Sequence, residues 1–405
     1  MNKQKILGFS FLLFSIFPLI PNRIKGLPVI LFFLSSIYLA KKYKCKVLNI
    51  RKTIFLSSLF LLILISLLYT ENFNKIDQIL STRLSLIVFP VSFSLIESTK
   101  IKLQKKYVLW FSKIFIFSTI LFSLLIFYKI YSLGYYHDKV NINDVYNNLT
   151  NNVFGVQQHP IYSSIFISLA LFFLLKEIVN KNMYLKILHF CGIIFLCYIL
   201  FFLSRRGTLI ALAVSLISVF LLRFKKLSIK KIAVIGILAV FGITFFTPVL
   251  KKRFKEVFYN ITYKEVNSDN SSSIRYGVYD CVTKVIKNNW WIGYGIGDVQ
   301  DELVKCYASK SKILVEGKYN SHNQYFSFML SNGLLGAIFL IWILIKTLKL
   351  GIRNNEVIIV SLMIFYSIVL LFENILERQS GIILFMFFLS YFNFKDYKNL
   401  LNVKK

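Results

Sequence analysis

The sequence predicts an all-α polytopic membrane protein of about twelve spanning helices with one large extramembrane lobe, and three observations carry that prediction. Of 405 residues, 56% are hydrophobic and only 17% are charged, more apolar and less charged than a soluble domain of this length. The apolar residues cluster in runs close to the roughly 20 that a helix needs to cross a bilayer. Lysine and arginine are dense in one set of connections between these runs and sparse in the alternate set, the bias that short cytoplasmic loops carry.

The N-terminal stretch MNKQKILGFSFLLFSIFPLIP has the basic start and apolar run of a signal peptide. It has no small-residue cleavage site and another apolar run follows at once, so it reads as a retained first helix over 6–21. Further spans are expected over 26–40, 53–70, 84–96, 107–133, 160–175, 187–203, 208–222, 232–248, 323–345, 357–372 and 380–393. With the N-terminus inside, the loops KKYKCKVLNIRK, ESTKIKLQKK, KEIVNKNMYLK, RFKKLSIKK and KTLKLGIRNNE face the cytoplasm, as does the tail FKDYKNLLNVKK. Together with Lys3, Lys5 and Lys113 they hold more than half of the 49 basic residues and few of the 18 acidic ones. Short outer connections such as ENFNKIDQILSTR are nearly neutral. The alternation survives every crossing, which puts both termini inside and makes much of the +31 net charge an inward-facing collar. No basic stripe lies on a folded soluble face, which argues against nucleic-acid binding.

Residues 1–248 thus hold nine spans and residues 323–405 three spans and a tail, separated by an outer lobe over 249–322. A lobe of this size is marginal alone and is expected to rest on the helix bundle. Its Trp290-Trp291 pair suits an interfacial anchor. Gly293-Tyr294-Gly295-Ile296-Gly297 resembles a nucleotide loop only superficially, because no strand precedes it. It reads instead as a turn feeding a short helix capped by Asp298. The five cysteines show no metal-ligand spacing. Cys191 and Cys197 fall inside a span and Cys45 in a basic loop, whereas Cys281 and Cys306 share the lobe. Those two pair if the lobe faces an oxidising compartment and otherwise stay thiols; the sequence leaves both open.

Candidate chemistry sits at the outer ends of spans. In LSRRGTL, Arg205 and Arg206 lie between two apolar runs, on the side where the charge bias would not put them. Either they snorkel to lipid headgroups or they form an anion site; the second reading is preferred, because guanidinium is a permanently charged fork suited to phosphate. His322, in NSHNQ where the lobe re-enters the membrane, titrates near neutral pH and can take a proton from a hydroxyl, or is merely a solvated or capping residue. His159 precedes Pro160 at another helix start, as a cap or a substrate contact. Arg275 belongs to the lobe, where an exposed arginine is ordinarily plain surface. The run Lys251-Lys252-Arg253-Phe254-Lys255 reads as a solvated helix end that could favour anions. The first outer loop, PNRIKG, has no carboxylate, so metal-assisted chemistry there is disfavoured and no metal ligands are assigned.

These residues, in this order and topology, resemble the O-antigen ligase and O-antigen polymerase superfamily of bacterial envelope proteins. Arg205 with Leu209 matches the ligases' Arg-x3-Leu pattern at a periplasmic helix end, and His322 with Gly333 their His-x10-Gly pattern after the lobe. Arg275 followed by WWIGYGIGD is similar to the family's arginine and Gly-x-Gly-x-Gly turn. The resemblance implies a GT-C-like helical glycosyltransferase bundle in the bacterial inner membrane, with the site facing the periplasm. It implies cofactor-free, metal-independent transfer of a glycan from undecaprenyl diphosphate to an acceptor hydroxyl, with lipid A core as one acceptor. On that reading His322 and Arg205 are catalytic, and Arg206, Arg275 and His159 bind substrate; direct attack inverts the anomeric centre. A polymerase would use the same donor. A lipid-linked glycan transporter is the rival from another class, but no internal repeat is evident and the notable cations lie at span ends rather than at mid-membrane.

Overall fold

The computed structural model describes residues 3–43, 45, 48–132, 155–156, 158–178, 182–203, 205–223, 266 and 271–395. Every expected span within them is helical, because a backbone in hydrocarbon must satisfy its own N–H and C=O groups. The span expected over 232–248, most of the outer segment 134–159 and the basic run Lys251–Lys255 lie outside the described residues. The bundle helices are α1 (Lys3–Leu12), α2 (Gly26–Lys42), α3 (Ile50–Ser66), α4 (Ile76–Arg83), α5 (Ser85–Ser98), α6 (Lys105–Ser132), α7 (Pro160–Glu177), α8 (Met183–Leu203) and α9 (Arg206–Arg223). After the lobe come α13 (Gln324–Arg353), α14 (Val357–Phe372) and α15 (Gln379–Phe394). Among the described residues, seven helical segments are long and apolar enough to cross a membrane, and α9, α14 and α15 are shorter apolar helices. The chain is an all-α polytopic membrane protein.

Two local features depart from the simple span pattern. The first helix tightens into a 3₁₀ turn over Leu13–Leu19, where Pro18 has no N–H to give the helical ladder. The connection ENFNKIDQILSTR is not all loop. Ile76–Arg83 is helical, with Asp77 in the first turn to complement the helix dipole, and only the helical residue Leu84 separates it from α5. The span therefore begins earlier than expected, at Ile76 rather than 84.

The core centres on α15, which is apolar all round and buried on nearly every side, as a central helix must be. Phe387 collects rings from its neighbours at centroid distances of 4.5 Å (Phe14), 5.1 Å (Phe11) and 5.6 Å (Phe111). With lipid as the alternative surrounding, such close packing contributes more than transfer from water does. At the periphery, α8 leaves Met183, Tyr184, Phe190 and Ile194 exposed as a lipid-facing surface.

The described part of the lobe is three helices, α10 (Ser271–Asn288), α11 (Val299–Ala308) and α12 (Lys312–Gly317). They enclose a small core of Val278, Val282, Leu303, Tyr307 and Leu314, and a disulfide joins Cys281 on α10 to Cys306 on α11. The sequence left that pairing open.

The lobe docks on the bundle through its glycine turn. Tyr294 N–H donates to the Leu330 carbonyl at 2.7 Å, Gly295 N–H to Ser331 at 3.1 Å, and Leu334 N–H returns to Trp290 at 2.9 Å. These bonds cross α13 at Gly333, whose φ of +61° kinks the helix, and a Cβ there would overlap the Trp291 carbonyl. The Gly-x-Gly-x-Gly turn and Gly333 are two halves of one contact. Asp298 does not cap its own helix with its side chain. Its carboxylate instead accepts from the backbone N–H groups of Glu71 and Asn72, at 2.8 and 2.7 Å, and so ties the lobe to the connection after α3. Stitching across elements took the place of the local cap that the sequence suggested.

Candidate functional site

The site forms at the lobe end of the bundle, around the six-residue connection between α14 and α15. Glu373 caps α14 in extended conformation, a 3₁₀ turn follows over Ile375–Glu377, and Arg378 opens α15. The first turn of α9 is brought against this connection by Gly207, since a Cβ there would sit 2.7 Å from Cβ of Phe372. Arg205, in the break between α8 and α9, is thereby carried to within electrostatic reach of Glu373. Arg206, the first residue of α9, turns toward the lobe, its Nη1 3.5 Å from Oγ of Ser272 on α10.

One face of α10 completes the site. Ser272, Arg275 and Tyr279 are spaced so that they stack on the same side of the helix. Arg275 Nη2 donates to Oε1 of Glu373 at 2.8 Å, and the Tyr279 hydroxyl donates to the carbonyl of His322 at 3.2 Å. His322 holds φ at +47°, unusual for a residue with a Cβ, and its Nδ1 lies 4.0 Å from Oε2 of Glu373. Glu373 thus stands between the arginine and the histidine, one carboxylate oxygen toward each. Its burial works to raise the carboxyl pKa, but His322, Arg275 and Arg205 outweigh that, and the group sits below the usual carboxylate range. It is a carboxylate at neutral pH.

His159 takes the position that its Pro160 neighbour dictates. It is the N-cap of α7, and its Nδ1 accepts from the N–H of Ile161 at 3.3 Å. Burial lowers its pKa to about 4, helped by the nearby charges of Arg205 and Arg378 and opposed by Glu373. The ring is therefore neutral near pH 7, a cap that also borders the cluster. The cap reading of the sequence is realised, and substrate contact remains compatible with it.

The arrangement brings Arg205, Arg275, His159 and His322 around one carboxylate, with Arg206 one step away on the lobe side. Chemically it combines a histidine backed by an acid, the pattern of an oriented base, with guanidinium groups suited to an anionic leaving group. Sequence reasoning missed Glu373, Glu377 and Arg378. The signal was present in ENILERQ, a short connection between the last two spans that carries two carboxylates and an arginine at the lobe end.

Residues 191–341, from within α8 to within α13, match the family model described as O-antigen ligase. That segment contains Arg205, Arg206, Arg275 and His322, whereas His159 and Glu373 flank it. A comparison with curated proteins finds no match.

Proposed function

We propose that the chain transfers a glycan from undecaprenyl diphosphate to an acceptor hydroxyl at the periplasmic face of the bacterial inner membrane, a reading supported by the match of residues 191–341 to the O-antigen ligase family model. Lipid A core is the acceptor that the ligase family favours. The observation that carries the reading is Glu373 standing between Arg275 at 2.8 Å and His322 at 4.0 Å, at the end of the bundle where Arg205 also lies.

On this account Nδ1 of His322 faces Glu373, which leaves Nε2 to accept the proton of the acceptor hydroxyl. The oxygen then attacks the anomeric carbon while the bond from that carbon to the diphosphate oxygen breaks. The electron pair leaves with undecaprenyl diphosphate. Glu373 stabilises the imidazolium that forms, and Arg205, Arg206 and Arg275 neutralise the departing phosphate. A single in-line displacement inverts the sugar. His159 borders the donor as a neutral group, and the scheme calls on no metal or cofactor. Base catalysis of this kind is worth about 10² to 10⁴ in rate.

The test is deletion in the source organism, complemented by wild type or His322→Ala, with surface lipopolysaccharide and undecaprenyl-linked glycan profiled together. The ligase reading expects the surface ladder to vanish and long polymer to accumulate on the lipid carrier, with no rescue by His322→Ala. A single repeat capping lipid A core would indicate a polymerase instead. No change in either pool would sink the transferase reading.

A further inference from the structure

The loop that carries His322 is tied to the α14–α15 connection by a polar network in which Glu377 is the hub. Its Oε1 accepts from Ser327 Oγ at 2.5 Å and Asn374 Nδ2 at 2.7 Å, and its Oε2 accepts from Asn320 Nδ2 at 3.0 Å. The other end of the Asn320 amide, Oδ1, accepts from the backbone N–H of His322 at 3.2 Å. Asn374 Nδ2 also donates to Ser321 Oγ at 2.9 Å, and Gln324 Oε1 accepts from Leu376 N–H at 2.7 Å. Residues 320–327 and 374–377 are therefore held together at several successive positions, and Arg83 of α4 supplies a cation within electrostatic range of Glu377.

Glu377 accepts its hydrogen bonds from this network, whereas Glu373 faces the His322 ring and Arg275. Two carboxylates in one short connection thus have different tasks. A non-glycine residue at φ +47° persists only where its surroundings hold it, and here the hold runs from Glu377 through Asn320 to the histidine backbone. A carboxylate accepting three hydrogen bonds suits that task, because its oxygens are satisfied by the amides and hydroxyl around it.

We propose that Glu377 is a positioning residue for the transfer reaction: through Asn320 and Asn374 it fixes the His322 loop against the connection that presents Glu373, and so sets the alignment of histidine and acid. This rests on the reading of His322 as the base. A glutamine at 377 keeps the shape but turns an N–H₂ toward groups that themselves donate.

The test uses full-length protein in membranes, with Glu377→Gln and Asn320→Ala as separate variants and combined. Transfer is followed with a lipid-linked glycan donor, and ethoxyformylation of His322 by diethyl pyrocarbonate is followed at the His322 peptide by mass spectrometry. The expected result is a fall in kcat of about tenfold or more in each variant with donor KM little changed, the signature of a lost transition-state interaction. The double variant should be no worse than the poorer single one, because both cut the same chain. His322 should react faster in both. If transfer by either variant equals wild type, or if the two losses multiply, the positioning role is wrong. If wild type transfers nothing while His322 still reacts faster in both variants, the hold on His322 stands and the transferase reading falls.

Discussion

Arg206 reaches Ser272 on the lobe at 3.5 Å, which sets its guanidinium at the lobe side of the candidate site. Arg206→Lys keeps the charge but loses the fork, so activity should drop about tenfold or more with membrane insertion intact, as read by transfer rate and protein level. Wild-type activity in that variant would remove the bidentate role. Glu373→Gln takes away the acid behind His322 and should lower kcat by a similar or larger factor, leaving Arg275 without its partner. His159 makes a pH prediction. Its folded pKa, about 4, lies below the unfolded value near 6.5, so between those limits the unfolded chain binds more protons. Stability conferred by the neutral ring is complete above the unfolded pKa and is lost as pH falls toward 4. Thermal unfolding in detergent should show that decline, and His159→Asn, which can still cap α7, should flatten it. At this scale Arg205, Arg206 and His322 drew notice in the sequence because a cation or a histidine stands at a span end, whereas Arg275, ordinarily plain lobe surface, stood out only through the resemblance. Glu373 could not, because nothing local reveals which charges a carboxylate one residue past an apolar helix will face.

Among the elements, the contact between the glycine turn and the α13 kink has the sharpest consequence. Gly333→Ala places a methyl group against the Trp291 carbonyl on a backbone at φ +61°, so strain and overlap act together. The lobe should undock, bringing protease sensitivity over 290–297 and loss of transfer while the bundle stays inserted; a protected lobe would contradict the interlock. The disulfide closes a loop over a separation of 25 residues. Replacing Cys281 and Cys306 by serine should cost the lobe about 3 kcal/mol, measurable as a lower midpoint for loss of protease protection. The sequence signalled both glycine motifs, but as separate marks. Their meeting depends on α13 crossing the lobe turn, which no periodicity encodes. Asp298 shows the same limit: a residue suited to cap a helix was drawn instead to two backbone amides of another segment. Spans were legible because lipid imposes one length and one composition on them, and boundaries less so, as α4 shows by extending the fourth span toward the lobe end.

For the whole molecule, the proposed orientation rests on the alternation of basic loops, which would put the charged collar in the cytoplasm and the lobe outside. Cysteine-accessibility labelling should find 41–43 and 349–353 on the inner side and 283–287 on the outer side; the reverse pattern would overturn the orientation on which a periplasmic site depends. The architecture explains why one end of a largely apolar bundle can do polar chemistry. The helices α7, α9, α14 and α15 and the lobe helix α10 all present an end or a face there, so residues from distant parts of the chain meet around Glu373. The most direct test of this account is single-turnover transfer by purified protein from an undecaprenyl-diphosphate glycan to a lipid A core acceptor, comparing wild type with His322→Ala. The account predicts glycan on the acceptor with inverted anomeric configuration, free undecaprenyl diphosphate in equal amount, and a rate at least about 10² lower in the variant. Equal rates for the two proteins, or retention at the anomeric carbon, would contradict it.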